Sequence, residues 1–185
     1  MQNICGKVFQ NIQTREIKCF LYDPQQNYYD VVQNALKNGY QQSIFTSSVM
    51  IALIEEFLLK YDSIVTEIEF SVENKELNQE IKKIIGQMKD NGAYWVILKD
   101  KLSFLSEYNS IDIQKVSIKS KQENVFLLSL QANGIFEVTE NAYDLVATEI
   151  CNVVRKVIRE DAKKVRPYDS LWDMYYDEFE DLEEA

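Results

Sequence analysis

Asp62, Glu73 and Lys75 come closest, in type and spacing, to a reaction centre: two carboxylates can hold a divalent metal while a lysine positions or activates water. The pattern is common in this chain, since an acid also stands two positions before Lys18, Lys82 and Lys163. Asn74 has the character of a helix N-cap, which draws Lys75 into a first turn and off a strand. Glu67, Glu69 and Glu73 recur along one segment and read as a solvated strand face. No metal ligand and no catalytic residue is assigned on these grounds, and a metal-dependent nuclease stands as an alternative only.

The absence of histidine removes Ser-His-Asp and Cys-His nucleophiles, HExxH zinc proteases and histidine general bases. Gly6, Gly39, Gly86, Gly92 and Gly134 are too scattered to form a dinucleotide- or phosphate-binding loop. No serine is followed three residues later by lysine, so that nucleophile pair is missing as well. What remains predicts a non-enzyme with no cofactor.

Charge is more informative than motif. The formal net charge is −10, but residues 169–185 hold eight acids and no Lys or Arg, which leaves about −2 on residues 1–168. A uniformly acidic surface of the kind that imitates DNA is therefore not expected of the body. Upstream of the acids, Arg155, Arg159, Lys163 and Arg166 fall within roughly 80° of one another on an ideal helix, flanked by Lys156 and Lys164. Cations near a helix C-terminus complement its dipole without any ligand. The same stripe can contact the phosphates of RNA or DNA, although stacking aromatics are lacking, with Tyr143 three turns away.

The closing stretch DSLWDMYYDEFEDLEEA resolves on a helix into two faces. Trp172, Tyr175, Tyr176, Phe179 and Leu182 recur at spacings of three and four, with Asp169, Asp173, Asp177, Glu180, Asp181 and Glu184 on most of the remaining circumference. Burying its Trp, Phe and Leu contributes on the order of 1.5 to 3 kcal/mol each before ordering costs. Alone in water such a short helix is marginal, with Glu183 and Glu184 against the negative end of its dipole. It needs a partner surface: its own body, with the acids over Arg155, Arg159 and Lys163, or a groove on another protein toward which the carboxylates steer it. Leu171, Trp172, Tyr175, Tyr176, Phe179 and Leu182, with Asp173, Asp177 and Glu180, are the expected partner-binding residues.

The elements that must position these groups follow from pattern and punctuation. Residues 4–9 and 16–22 read as two short strands around QNIQT. Asp23-Pro24 offers a cap and first-turn proline for a helix striped by Val31, Val32, Ala35 and Leu36 and closed by Gly39. A second helix begins in Thr46-Ser47-Ser48 and reaches Tyr61, apolar on most of its circumference. From Ile64 to Glu73 the period is two, with Ile64, Thr66, Ile68, Phe70 and Val72 on one face. Asn74 caps a helix carrying Leu77, Ile81, Ile84 and Met88 that ends at Gly92. AYWVIL, LSFL, IDIQKVSIK, NVFLLSLQ and IFEVT then read as strands, with a bulge near Gln114 or two separate short strands there, and an Asn133-Gly134 hairpin. A helix from about Thr139 to Val165, with Ala142, Val146, Ile150, Val153 and Val157 inward, is expected to end at Pro167.

The order of elements predicts an α+β fold: a mostly antiparallel sheet with helices packed on one face, an N-terminal hairpin and helical annex, and an acidic amphipathic C-terminal helix. The divisions are 1–61 (hairpin and two helices, annexed to the same core), 62–166 (body) and 167–185 (tail). Cys5, Cys19 and Cys151, odd in number and set among apolar residues, read as buried free thiols of a reducing compartment. MQNICGKVFQ has no basic segment leading into an apolar one, and VMIALI is too short to cross a bilayer, so a cytoplasmic protein of its own or a host cell is expected, with no membrane partner. The function expected is binding: an inhibitor or adaptor of a basic, nucleic-acid-handling protein, of the antitoxin, immunity or anti-defence kind. Eleven tyrosines, a residue favoured at interfaces, fit that reading. The same charge distribution is compatible with an RNA- or DNA-binding protein held in check by its acidic tail, and with a small acidic chaperone.

Overall fold

The computed structural model describes residues 2–122 and 126–180, with side chains inside the last helix described as far as Lys163. Strands β1 (Asn3–Asn11) and β2 (Ile17–Tyr22) form the expected hairpin, in register from Cys5 opposite Tyr22 to Gln10 opposite Ile17. Its turn has no glycine. Asn11 Oδ1 instead accepts from the backbone N–H groups of Gln13 (3.0 Å) and Thr14 (2.9 Å), and Arg15 takes a left-handed φ of 60°.

Helix α1 (Tyr28–Lys37) starts later than Asp23-Pro24 suggests. The Asp23 side chain accepts from the Gln25 N–H and its carbonyl from the Gln26 N–H, forming a turn, and Asn27 supplies the cap to Tyr29 and Asp30. Gly39 closes the helix at a φ of 80°. No residue of α1 is fully buried, so its apolar stripe rests on the sheet without entering the core. β3 (Tyr40–Gln42) leads to α2 (Ser47–Lys60), capped by Thr46 and packed on most sides, as its composition requires.

β4 (Ser63–Phe70) departs from the single alternation expected of residues 64–73. Val65 pairs with Ile118 and Glu67 with Ser117 of β5 (Ile113–Ser120), so Thr66 is an extra residue that reverses the phase. Val65 and Ile68 are buried, Ile64 only half so, and Val72 lies exposed beyond the strand. The bulge expected at Gln114 is present: Glu69 pairs with Lys115 and Phe70 with Ile113, passing over Gln114.

Helix α3 (Lys75–Asp90) is capped by Asn74 and buries Leu77, Ile81, Ile84 and Met88. The next element corrects the reading of AYWVIL and LSFL as strands, because both lie in one helix, α4 (Tyr94–Asn109). Trp95, Leu98, Leu102 and Leu105 are buried at spacings of three, four and three, while Val96, Ile97, Phe104 and Tyr108 are apolar but exposed. Apolar residues on both sides of a helix erase the 3.6-residue signal and leave short runs that imitate strands.

β6 (Leu127–Gln131) and β7 (Ile135–Thr139) join through Asn133-Gly134 as expected, and a 3₁₀ turn (Glu140–Ala142) leads into α5 (Tyr143–Glu180). All strand pairings are antiparallel, in the order β2-β1-β7-β6-β5-β4, with β3 beside residues 9–11 of β1. The N-terminal hairpin, with β3, thus adds its strands to the edge of a sheet whose other members are β4 to β7. Gly134 sits where the β6–β7 turn crosses the end of β3: a Cβ there would lie 2.1 Å from the Ser43 carbonyl oxygen, and its φ is 79°.

Helices α2 to α5 cover one face of the sheet, where Val8, Val65, Val116, Ile118, Leu128, Leu130, Phe136 and Val138 meet Met50, Leu53, Ile54, Leu98, Leu102, Val146 and Ile150. The residues expected to face inward, Ala142 in the 3₁₀ turn and Val146, Ile150, Val153 and Val157 of α5, are all buried. Polar ties fix the layers. Ser47 and Ser106 donate to Asp112 Oδ1, joining the start of α2 and the end of α4 to the entry of β5. Glu55 of α2 accepts from Lys99 (2.7 Å) and Trp95 (3.2 Å) of α4, and the Lys99 bond holds its carboxyl below the usual range against the opposing effect of burial. Among the described residues no helix is long and apolar enough to cross a membrane.

Candidate functional site

The residues with a hydrolytic spacing are not brought together. Asp62 stands before β4 with a left-handed φ of 41° and pairs with Lys121 at 2.7 Å, whereas Glu73 follows β4. The strand between them is on the order of 25 Å long. Lys75 is the first residue of α3, inside the turn capped by Asn74. Glu67, Glu69 and Glu73 line a groove between β4 and α3 with Lys82, all three acids are exposed, and Glu69 pairs with Lys115 across the strands at 3.2 Å. Among the described residues no three metal-ligating side chains of the Cys, Asp or Glu type gather.

The basic residues of α5 are brought together. Val153, Val154 and Val157 hold one side of the helix in the core, which turns Arg155, Lys156, Arg159 and Lys163 outward along one shallow groove with Asn152 and Glu160. Arg155 donates to Asn152 Oδ1 at 3.3 Å. None of the ion pairs among the described residues uses these four cations. The side chains of Lys164 and Arg166, the rest of the expected patch, lie outside the described residues.

The helix expected to stop at Pro167 continues to Glu180. Proline removes one backbone hydrogen bond and bends a helix but does not reverse it. An unbroken helix therefore cannot fold back over its own Arg155, Arg159 and Lys163, as the self-docking reading of the tail requires. At 1.5 Å per residue α5 extends on the order of 30 Å beyond Val157, the last α5 residue buried in the core among those described. The side chains of Leu171, Trp172, Asp173, Tyr175, Tyr176, Asp177, Phe179 and Glu180 fall outside the described residues, as does Leu182 entirely.

No protein-family model matches the chain, and neither a curated protein nor a solved structure matches it.

Two surfaces escape sequence reasoning. One is the outer side of α4, where Val96, Ile97, Phe104 and Tyr108 are all at least half exposed and the last two rings stack at 5.2 Å. An aromatic pair left in water on a helix is the composition of a contact surface. The signal was present in AYWVIL and LSFL, but only the helix shows that these runs have an outer side. The other is a cleft of about 300 Å³ beneath α1, lined by Phe9, Phe20, Leu21, Tyr22, Val31, Ala35 and Tyr40, with Lys7 in its wall. Lys7 is fully buried, and its ammonium donates to the Asn133 carbonyl and lies 5.2 and 5.1 Å from the ring centroids of Phe9 and Tyr28. Burial pushes its pKa down to about 8.

Proposed function

We propose that this protein acts by binding another protein that carries a basic surface, without catalysis of its own, and serves as an inhibitor or adaptor of a nucleic-acid-handling partner of the antitoxin, immunity or anti-defence kind. The observation that carries this reading is the unbroken course of α5 to Glu180. It keeps that segment from folding back over Arg155, Arg159 and Lys163, and an aromatic and acidic helix is marginal without a surface to cover it. A helix laid in a groove through residues at spacings of three and four, steered by its carboxylates, is a common recognition mode. The exposed aromatic side of α4 adds a second surface of contact composition.

Affinity purification of the full chain from its native cell or host, beside Trp172→Ala/Phe179→Ala, tests the reading. A specific partner recovered by the natural chain and lost at least tenfold by the folded double variant supports it. Equal recovery by the variant refutes tail docking.

One observation favours a second reading, RNA or DNA binding through α5: Arg155, Lys156, Arg159 and Lys163 share a groove and take no part in the ion pairs among the described residues. Gel-shift titrations at two salt concentrations, with the full chain and a chain ending at Val165, separate the readings. Steeply salt-dependent binding by the shortened chain alone favours a nucleic-acid binder restrained by its tail.

A further inference from the structure

Cys19 lies on β2 and Cys151 on α5, 132 positions apart in the chain, and the fold sets their sulfurs 3.2 Å from each other as free thiols. The expectation of buried free thiols is corrected as to burial: all three cysteines are free but only partly buried, and two of them meet. Cys19 Sγ also lies 3.5 Å from the Ala147 carbonyl, one turn earlier on α5, so its S–H has an acceptor on either side. The positions are held from behind. Cys19 pairs in register with Val8 of β1, and Val146, Ala147 and Ile150 seat α5 in the core. Neither side chain can drift far without disturbing that packing.

The two thiols are not equivalent. The bond from Cys19 holds the Cys151 thiol below its ordinary value, with Arg155 one turn further along the helix acting in the same direction and burial opposing both. The same bond, with burial, pushes Cys19 up. Cys5 has no such partner, and burial raises it. One half-buried thiol whose ionisation is eased by its neighbour, 3.2 Å from a second thiol, is the arrangement of an attacking and a resolving cysteine.

We propose that Cys19 and Cys151 are a redox modification site, closed to a disulfide by a hydroperoxide and reopened by a thiol reductant. The Cys151 thiolate attacks the peroxide oxygen, breaking the O–O bond to give a sulfenic acid and releasing water or an alcohol after protonation. The Cys19 sulfur then loses its proton and attacks the Cys151 sulfur; the S–S bond forms, the S–O bond breaks, and water leaves. Two thiols lose two electrons and two protons, and the peroxide takes them up. The product ties the edge hairpin to the helix that carries Arg155, Arg159 and Lys163, and this modification is independent of whether the tail binds a partner.

Treating the full chain with hydrogen peroxide, quenching, and counting thiols after denaturation tests the proposal. The expected result is a fall from the three thiols of the sequence to one, a mass lower by about 2 Da from two lost hydrogens, and a peptide map joining 19 to 151. The melting temperature rises on the order of 5 to 10 °C and returns with dithiothreitol. Cys5→Ser leaves these changes intact, and Cys19→Ser stops at a sulfenic acid on Cys151 that dimedone traps. Three persisting thiols, a disulfide that includes Cys5, or bonds formed only between chains overturn the proposal. Should Cys19→Ser fail to fold, the map of the natural chain decides alone.

Discussion

Successive residues of β1 face two different interiors. Gly6 and Val8 point into the main core, where Gly6 leaves room for the Phe136 ring: a Cβ at Gly6 would lie 2.3 Å from its Cζ. Phe136 is itself stacked on Tyr143 of α5, centroids 5.7 Å apart. Lys7 and Phe9 point the other way, beneath α1, where a fully buried ammonium has one carbonyl acceptor, two ring faces and no carboxylate among its hydrogen-bond and ring partners. Both faces bury side chains, but only the first is closely filled, while the second borders an open cleft. The second is roofed by a helix without one fully buried residue and floored by a side chain that is costly to bury charged. Burial alone therefore does not distinguish a core from a cover; the chemistry of what is buried does.

The contrast is broken most severely from the core side. Gly6→Val forces three carbons into the Phe136–Tyr143 stack and is expected to cost about 3 kcal/mol, the upper part of the over-packing range, as a lowered midpoint in urea. A loss of stability under about 0.5 kcal/mol would show that the Phe136 ring moves freely and that the two faces are alike.

Lys7 sharpens the contrast through pH. Its native pKa of about 8 is below the ordinary lysine value, so between the two the unfolded chain holds more protons than the native one. Stability from this group rises across that window, and below pH 8 the full penalty is present. Between pH 7.5 and 9.5 the natural chain is expected to gain about 2 kcal/mol relative to Lys7→Met, measured as the difference of two denaturant series. Parallel curves would mean that the ammonium is hydrated.

The smallest effect falls on the cover itself. Asn27→Ala removes the cap of α1 at about 1 kcal/mol. With no buried residue to transmit the loss, it should appear as faster amide exchange within α1 and a melting temperature shift of at most a few degrees.

Much of the α+β frame was legible because its signals are local. Thr46 and Asn74 cap helices where they are expected to, Asn133-Gly134 turns a hairpin, and the phase change at Gln114 is a bulge. Each depends on a side chain satisfying backbone groups a few residues away, or on a backbone angle that glycine permits. Misreadings arose where two local signals competed. Asp23 could cap or turn and it turns, and β4 shows alternation on both sides of Thr66, so nothing in its residue types marks the slip. The basic groove of α5 was visible as angular spacing because the helix is regular there, whereas the exposed side of α4 was not, since apolar residues surround that helix.

What the chain by itself determined is its segregation of charge, its lack of histidine chemistry, and the starts and stops of most elements, all properties of residue type and near neighbours. The tertiary structure decided which interior receives Lys7, that Cys19 meets Cys151, and that Asp62 and Glu73 stay a strand's length apart. The reason is the same in each case: these depend on which segments pair across more than a hundred positions, or on how an extended strand spaces its ends, and side-chain chemistry read along the chain carries no measure of either distance.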